Sequence, residues 1–262
     1  MNRQFAGMLL ILVAAIGYAL FPIFAKLAYA DGLTATSLLA WRFLVATGAT
    51  WLLAPAWWKA ARLAQVGRRH LLRLGVLGAL FAVLALAALF ALERIPASTY
   101  IIMLYTYPAM VAILSMFLGE RLAPVGWGAI IMAIGGCALV VGGKFELNSP
   151  LDLALPLINA LTYAVYLVLV DRIVPRGTSG IASGVLSVSG SALAILPLIA
   201  VMGLPAPATG AGWGAVAGIA LISTTIPIMS VFGGIAILGA TRAAIVNTIE
   251  PVISVIFAAL LL

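Results

Sequence analysis

Long apolar runs separated by short polar or turn-forming stretches recur along the whole chain, and their lengths decide what they are. Membrane spans are predicted at 5–25, 34–54, 71–92, 97–118 and 125–141, then at 151–170, 181–202, 212–235 and 241–262, nine in all. Each lies near the roughly 20 residues a helix needs to cross a bilayer. Period-2 alternation is absent and the runs are too long for barrel strands, so the backbone must satisfy its own hydrogen bonds as helices. The fold class is all-α.

Composition makes the solvent explicit. Hydrophobic residues make up 65% of the chain and charged residues 8%, with a mean hydropathy of +1.24; soluble domains carry about 25% charged residues. This composition is that of an integral membrane protein. Between Arg176 and Arg242 there is no Asp, Glu, Lys, Arg or His, and the only interruption is GLPAPATGAG at 203–212. That interval holds two spans.

The start, MNRQ before an apolar run and then AYA at 28–30, has some features of a cleaved signal. Its apolar run is too long for a signal core, and Pro22 and Lys26 interrupt the approach to the cleavage site, so it is expected to stay as the first helix. Numbering the span ends alternately puts Arg3, Lys59, Arg62, Arg68, Arg69, Arg73, Arg121, Arg172, Arg176 and Arg242 on one side, and Lys26, Arg94 and Lys144 on the other. Ten basic residues against three predict a cytoplasmic N-terminus. The expected location is the bacterial inner membrane, crossed many times. The net charge of +7 is mostly this topological signal, and GRRH at 67–70 reads as an orienting loop facing anionic lipid rather than a nucleic-acid patch. His70 has no partner at metal-binding spacing, and Cys137 lies alone in a span where it packs. No metal and no cofactor are expected.

The chain repeats. With an offset of 145, Ala15, Tyr18 and Ala19 fall on Ala160, Tyr163 and Ala164; with an offset of 143, Pro108 falls on Pro251 and Leu118 on Leu261. The fourth span thus matches the ninth. A unit of five spans is odd in number, so its two copies enter the membrane in opposite senses, as an inverted-topology repeat.

ALERIPASTYIIMLYTYPAMVAILSMFLGERL at 91–122, WRFLVA at 41–46 and GATRAAIVNTIEPVISVIFAALLL at 239–262 resemble the EamA-type members of the drug/metabolite transporter superfamily. The resemblance covers nearly the whole chain. It implies ten helices, cytoplasmic termini, a central pathway between two halves, and export of amino acids or other small metabolites. The first repeat is assigned to 1–143 with spans one to five, and the second to 151–262 with spans six to nine. The matching Gly-Glu and tenth helix belong beyond Leu262, and the expectation is that the chain is cut short there.

NTIEPV at 247–252 carries the sharpest chemistry. A carboxylate at mid-membrane costs about 2.5 to 3.5 kcal/mol on insertion scales, which makes Glu250 a functional candidate by default. Asn247, Glu250 and Ser254 share one helical face at i, i+3, i+7, and Pro251 strips the Asn247 carbonyl of its helical donor. Glu250 is either a pathway group, as a proton site or a counter-charge, or an acid that pairs with a neighbouring helix as structural glue. In the first repeat the matching face carries Tyr100, Met103, Tyr107 and Met110, with Pro108 breaking the ladder. Asn159, Tyr163 and Tyr166 form a similar stripe, and Tyr18 takes the equivalent place on the first span. Rings with one polar handle, adaptable Met side chains and amides suit an apolar pocket for an amphipathic solute; the bland reading is helix packing through aromatic stripes. STTIP at 223–227 adds Thr224 to the pathway set, with Pro22, Pro108, Pro227 and Pro251 as helix breaks. Arg42 is the other intramembrane charge. It either holds a substrate carboxylate, snorkels, or locks helices beside the small-residue helix of Gly180, Gly184, Ser187 and Ser191, and the structural roles are favoured.

An enzyme would need a nucleophile with a base, a carboxylate dyad or a metal cluster in the membrane; the acids here are dispersed and no phosphate loop is present. The expected function is secondary transport by alternating access, exporting aromatic or large neutral amino acids. Efflux of lipophilic cations through cation–π contacts is the alternative, and a channel, lacking any ring of charge, is a weaker one. The expected partners are a small-molecule substrate and membrane lipids, without nucleic acid, and the protein is expected to function as a monomer.

Overall fold

The computed structural model describes residues 3–53, 59, 66–120, 124, 127, 128, 130–132, 134, 135, 149–174 and 178–261. Most of the span predicted at 125–141, with Cys137, falls outside the described residues, as do Lys144 and Trp57. Among the described residues every regular element is helical. Before the gap lie α1 (Arg3–Ala19), α2 (Phe21–Ala30), α3 (Ala35–Leu52), α4 (Arg68–Arg94), α5 (Ala97–Leu104) and α6 (Tyr107–Phe117). After it come α7 (Pro150–Ile173), α8 (Gly180–Met202), α9 (Gly210–Ala220), a π turn (Leu221–Thr225), α10 (Ile226–Leu238), α11 (Ala240–Asn247) and α12 (Glu250–Leu261).

Six stretches among the described residues are long and apolar enough to cross a membrane: Arg3–Ala30, Arg68–Arg94, Thr99–Phe117, Pro150–Ile173, Gly180–Met202 and Gly210–Leu238. They coincide with six of the nine predicted spans. The second predicted span is the helix α3, where Arg42 and its threonines dilute the apolar character, and the ninth is α11 and α12, divided by a break.

The breaks follow from proline chemistry. A proline ring removes a donor and clashes with the carbonyl four residues back, so the helix yields just before it. Helical geometry lapses at Leu20 ahead of Pro22, at Tyr105 and Thr106 ahead of Pro108, and at Thr248 and Ile249 ahead of Pro251. Ahead of Pro227 the helix widens into the π turn. Threonines take up the loosened carbonyls: Thr106 Oγ1 donates to Met103 O at 2.8 Å, Thr248 Oγ1 to Ile245 O at 2.7 Å, and Thr224 Oγ1 to Ile219 O at 2.6 Å. Pro156 in α7 and Pro197 in α8 sit inside continuous helices.

Packing is closest where side chains are smallest. The small-residue helix α8 lies along α4 and α10 as well as α3, and its tightest approaches are to the first two, not to the Arg42 helix that the sequence suggested. Gly180 and Gly184 meet the backbone of Gly233 and Met229 on α10, while a Cβ placed on Gly78 of α4 would stand 2.0 Å from the Ser187 carbonyl and 2.7 Å from the Ser191 amide. Ser191 Oγ donates to the Gly78 carbonyl at 2.7 Å across this contact. Gly78→Ala is therefore expected to push α4 and α8 apart, at roughly 1–3 kcal/mol or more because both obstacles are backbone. Thermal melting of the detergent-purified protein measures it; an unchanged melting point would mean that the helices do not meet so closely. Apolar side chains such as Phe117, Val201 and Met132 project outward around the bundle, as a lipid-facing surface requires.

Candidate functional site

The interrupted helices bring their polar groups to one place. Asn247, the last residue of α11, and Glu250, the first of α12, face each other across the break, and Asn247 Nδ2 donates to Glu250 Oε2 at 2.8 Å and to the Tyr107 hydroxyl at 3.0 Å. The Asn247 carbonyl that Pro251 frees is reached by the Tyr105 hydroxyl at 3.4 Å. Ser254 Oγ, on the same face, donates to the Ala19 carbonyl at the end of α1, at 3.1 Å. The break of the α11–α12 pair is thus bonded to the break of the α5–α6 pair and lies against the end of α1.

Arg42 comes from α3 and is 3% exposed. Its Nε donates to Thr224 Oγ1 at 2.6 Å, in the π turn, and one terminal nitrogen lies 3.5 Å from the Ser223 carbonyl. The rings of Phe21, Phe43 and Phe81 stand 4.8, 5.4 and 5.5 Å from its guanidinium carbon, and among the described residues no carboxylate pairs with it. Attraction to ring faces and two oxygen acceptors offset the desolvation of this charge.

Between these two charges is a central cavity of about 70 Å³, lined by Tyr18, Pro22, Arg42, Phe81, Tyr100, Asn159, Tyr163 and Glu250 among others. Asn159 Nδ2 donates to the Tyr100 hydroxyl at 2.7 Å and fixes both side chains at its wall. Glu250 is half-buried, its residual exposure facing this space. The cavity has room for a few waters.

Aromatic rings continue beyond it. Tyr107 and Tyr163 are 4.7 Å apart between centroids, Tyr163 and Tyr166 stack at 6.4 Å, and Tyr166 meets Phe232 edge-on at 6.4 Å. Phe232 in turn is at the floor of a vestibule of about 670 Å³ that opens where α1 and α11 begin and where α7 and α10 end. Tyr166 and Phe232 are therefore the partition between vestibule and central cavity.

The opposite end of the bundle is fastened. Lys26 Nζ donates to the carbonyls of Leu92 and Ile95 at the end of α4, Tyr29 donates to the Leu89 carbonyl at 2.8 Å, and the Ala35 amide at the start of α3 donates to Glu93. Arg94 pairs with Asp152 at 2.7 Å and bonds Ser149 at 2.9 Å, tying the end of α4 to the start of α7. Asp31 accepts from the Thr209 hydroxyl and from the amides of Ala208 and Thr209; these bonds hold its carboxyl below the usual carboxylate range.

Of the residues singled out in the sequence, Tyr18, Tyr100, Asn159, Tyr163 and Glu250 line the cavity. Asn247 and Thr224 stand one bond behind it, through Glu250 and Arg42; Tyr107 follows behind Asn247 and against the Tyr163 ring, and Tyr166 forms the partition. Met103 is buried but is not among the lining residues, the face of α5 towards the cavity being that of Tyr100, Ile101 and Leu104; beyond the break, Tyr105 reaches Asn247. Sequence reasoning missed Tyr105, Phe21 and Phe81. Pro108 was the available signal for the first, since a helix broken there cannot carry one stripe straight through.

The family model described as the EamA-like transporter family matches residues 5–142 and 152–262. No curated protein sequence matches the chain. A crystal structure of a protein shares the fold with a TM-score of 0.74, at 17% sequence identity over 97% of this chain and 88% of that one.

Proposed function

The chain belongs to the EamA-like transporter family, and from that premise we propose that it is a secondary transporter that exports zwitterionic amino acids with aromatic or large neutral side chains. The observation that carries the substrate class is that Arg42 and Glu250 both line one cavity whose walls also carry rings. An α-amino acid presents a carboxylate to the guanidinium, an ammonium to the Glu250 carboxylate, and an apolar side chain to Tyr163, Tyr100 and Phe81. A lipophilic cation answers Glu250 and the rings but leaves Arg42 facing a like charge.

Alternating access fits the construction. The cavity is smaller than such a solute, so its walls must part to admit one, and breaks in α1–α2, α5–α6 and α11–α12 supply hinges at the cavity itself. The α5–α6 and α11–α12 breaks fall at positions offset by 143, which supports two inverted repeats, 1–143 and 151–262, as the units that rock. The excess of basic residues at the vestibule end supports a cytoplasmic N-terminus and a vestibule open to the cytoplasm of a bacterial inner membrane.

The test is counterflow. Proteoliposomes preloaded with unlabelled L-phenylalanine are expected to accumulate labelled L-phenylalanine transiently, several-fold above unloaded vesicles, and phenethylamine is expected to substitute poorly. Flux without trans-stimulation would instead indicate a channel, and preference for phenethylamine would overturn the zwitterion.

A further inference from the structure

The vestibule wall carries charges that have no partner among the described residues. Asp171, in the last turn of α7, is half-buried and, among the described residues, has no hydrogen bond or ion pair. Arg242 of α11 and Arg3 of α1 line the same space and are likewise unpaired among the described residues. The remaining lining acid, Glu120, is engaged: it pairs with Arg172 at 2.7 Å and lies 3.5 Å from the Thr241 hydroxyl. Below these groups the floor is apolar, formed by Ala112, Val170, Phe232 and Ile235.

Opposite charges that share one concavity without touching leave room for something between them. Low-dielectric walls focus their fields into the vestibule, and the volume of about 670 Å³ is in the range of a small-molecule site. We propose that the vestibule is a first binding site for the same solute class, where Asp171 takes the ammonium and Arg242, with Arg3, takes the carboxylate of a zwitterionic amino acid whose side chain rests on Phe232 and Ile235. This rests on the reading of the central cavity as an amino-acid site. The two sites are separated by the Tyr166 and Phe232 rings, so a solute held in the vestibule is poised against the partition it must cross.

Equilibrium dialysis of labelled L-phenylalanine against the detergent-purified full chain tests it. Wild type is expected to bind two molecules per chain. Asp171→Asn and Arg242→Gln, both at accessible positions, are each expected to weaken one of the two at least tenfold and leave the other intact, with melting points unchanged. Phenethylamine and 3-phenylpropionate, each carrying one of the two charges, are expected to compete at that site at least tenfold more weakly. One molecule per chain, untouched by either substitution, overturns the vestibule site while the central cavity stands. Equal competition by phenethylamine overturns the two-charge recognition. Absence of phenylalanine binding altogether overturns the central reading and this one with it.

Discussion

Glu250→Gln is expected to abolish the response of net transport to a pH gradient while exchange of solute for solute survives. The glutamine keeps the shape of the side chain and can still meet Asn247, but it can neither take up nor release a proton. If one proton moves through Glu250 per solute, a pH difference of one unit is worth about 1.4 kcal/mol, a tenfold accumulation, and the mutant should show none. Exchange needs no proton movement and should survive at saturating solute, with affinity lowered about tenfold because the glutamine offers the ammonium no charge while Arg42 and the rings still hold the solute. The measurement is uptake into proteoliposomes with and without an imposed pH gradient, wild type beside mutant. A well-folded mutant with undiminished pH response would leave Glu250 as the carboxylate that holds Asn247 across the break between α11 and α12.

Arg42→Gln is expected to weaken L-phenylalanine binding by about 10- to 100-fold, the loss that follows from removing a charge-assisted hydrogen bond of roughly 1.5–3 kcal/mol in a desolvated site. Phenethylamine, which has no carboxylate, should bind the mutant no worse than wild type. Arg42→Lys should fall between, since it restores the charge but not the planar fork. Binding of both compounds in the same preparation, with its melting point, separates recognition from support. Equal loss of the two ligands would reduce Arg42 to a clamp on the π turn through Thr224.

How far the sequence reached can be judged from these residues. The apolar runs foretold helices because length and backbone demand in lipid leave little choice, and each break lies just before a proline because the missing donor acts locally. The bond between Asn247 and Glu250 was legible for the same reason: i, i+3 spacing puts both on one face. What escaped is the rotation of one helix against another. No pattern within α3 says that Arg42 shares a cavity with Glu250 or that its bonds go to Thr224 and Ser223 of the π turn; the helix it was expected to lie beside, α8, does contact α3 but packs most closely on α4 and α10. The vestibule was equally silent, for its walls are helix ends with ordinary composition.

The fastened end opposite the vestibule bears on what the protein does when it carries nothing. A carrier that coexists with ion gradients is safest when its empty form is an insulator. Here the end of α4 is held by Lys26, Tyr29 and, through Arg94, Asp152, and the start of α3 by Glu93; several of these bonds are charge-assisted, and alternating access as proposed above would have to break each of them to part that mouth. On the alternating-access reading proposed above, idle molecules of this form would expose one compartment to the vestibule and close the other mouth, so proton and ion leak through them would be held to the rare moments when the whole set lets go together.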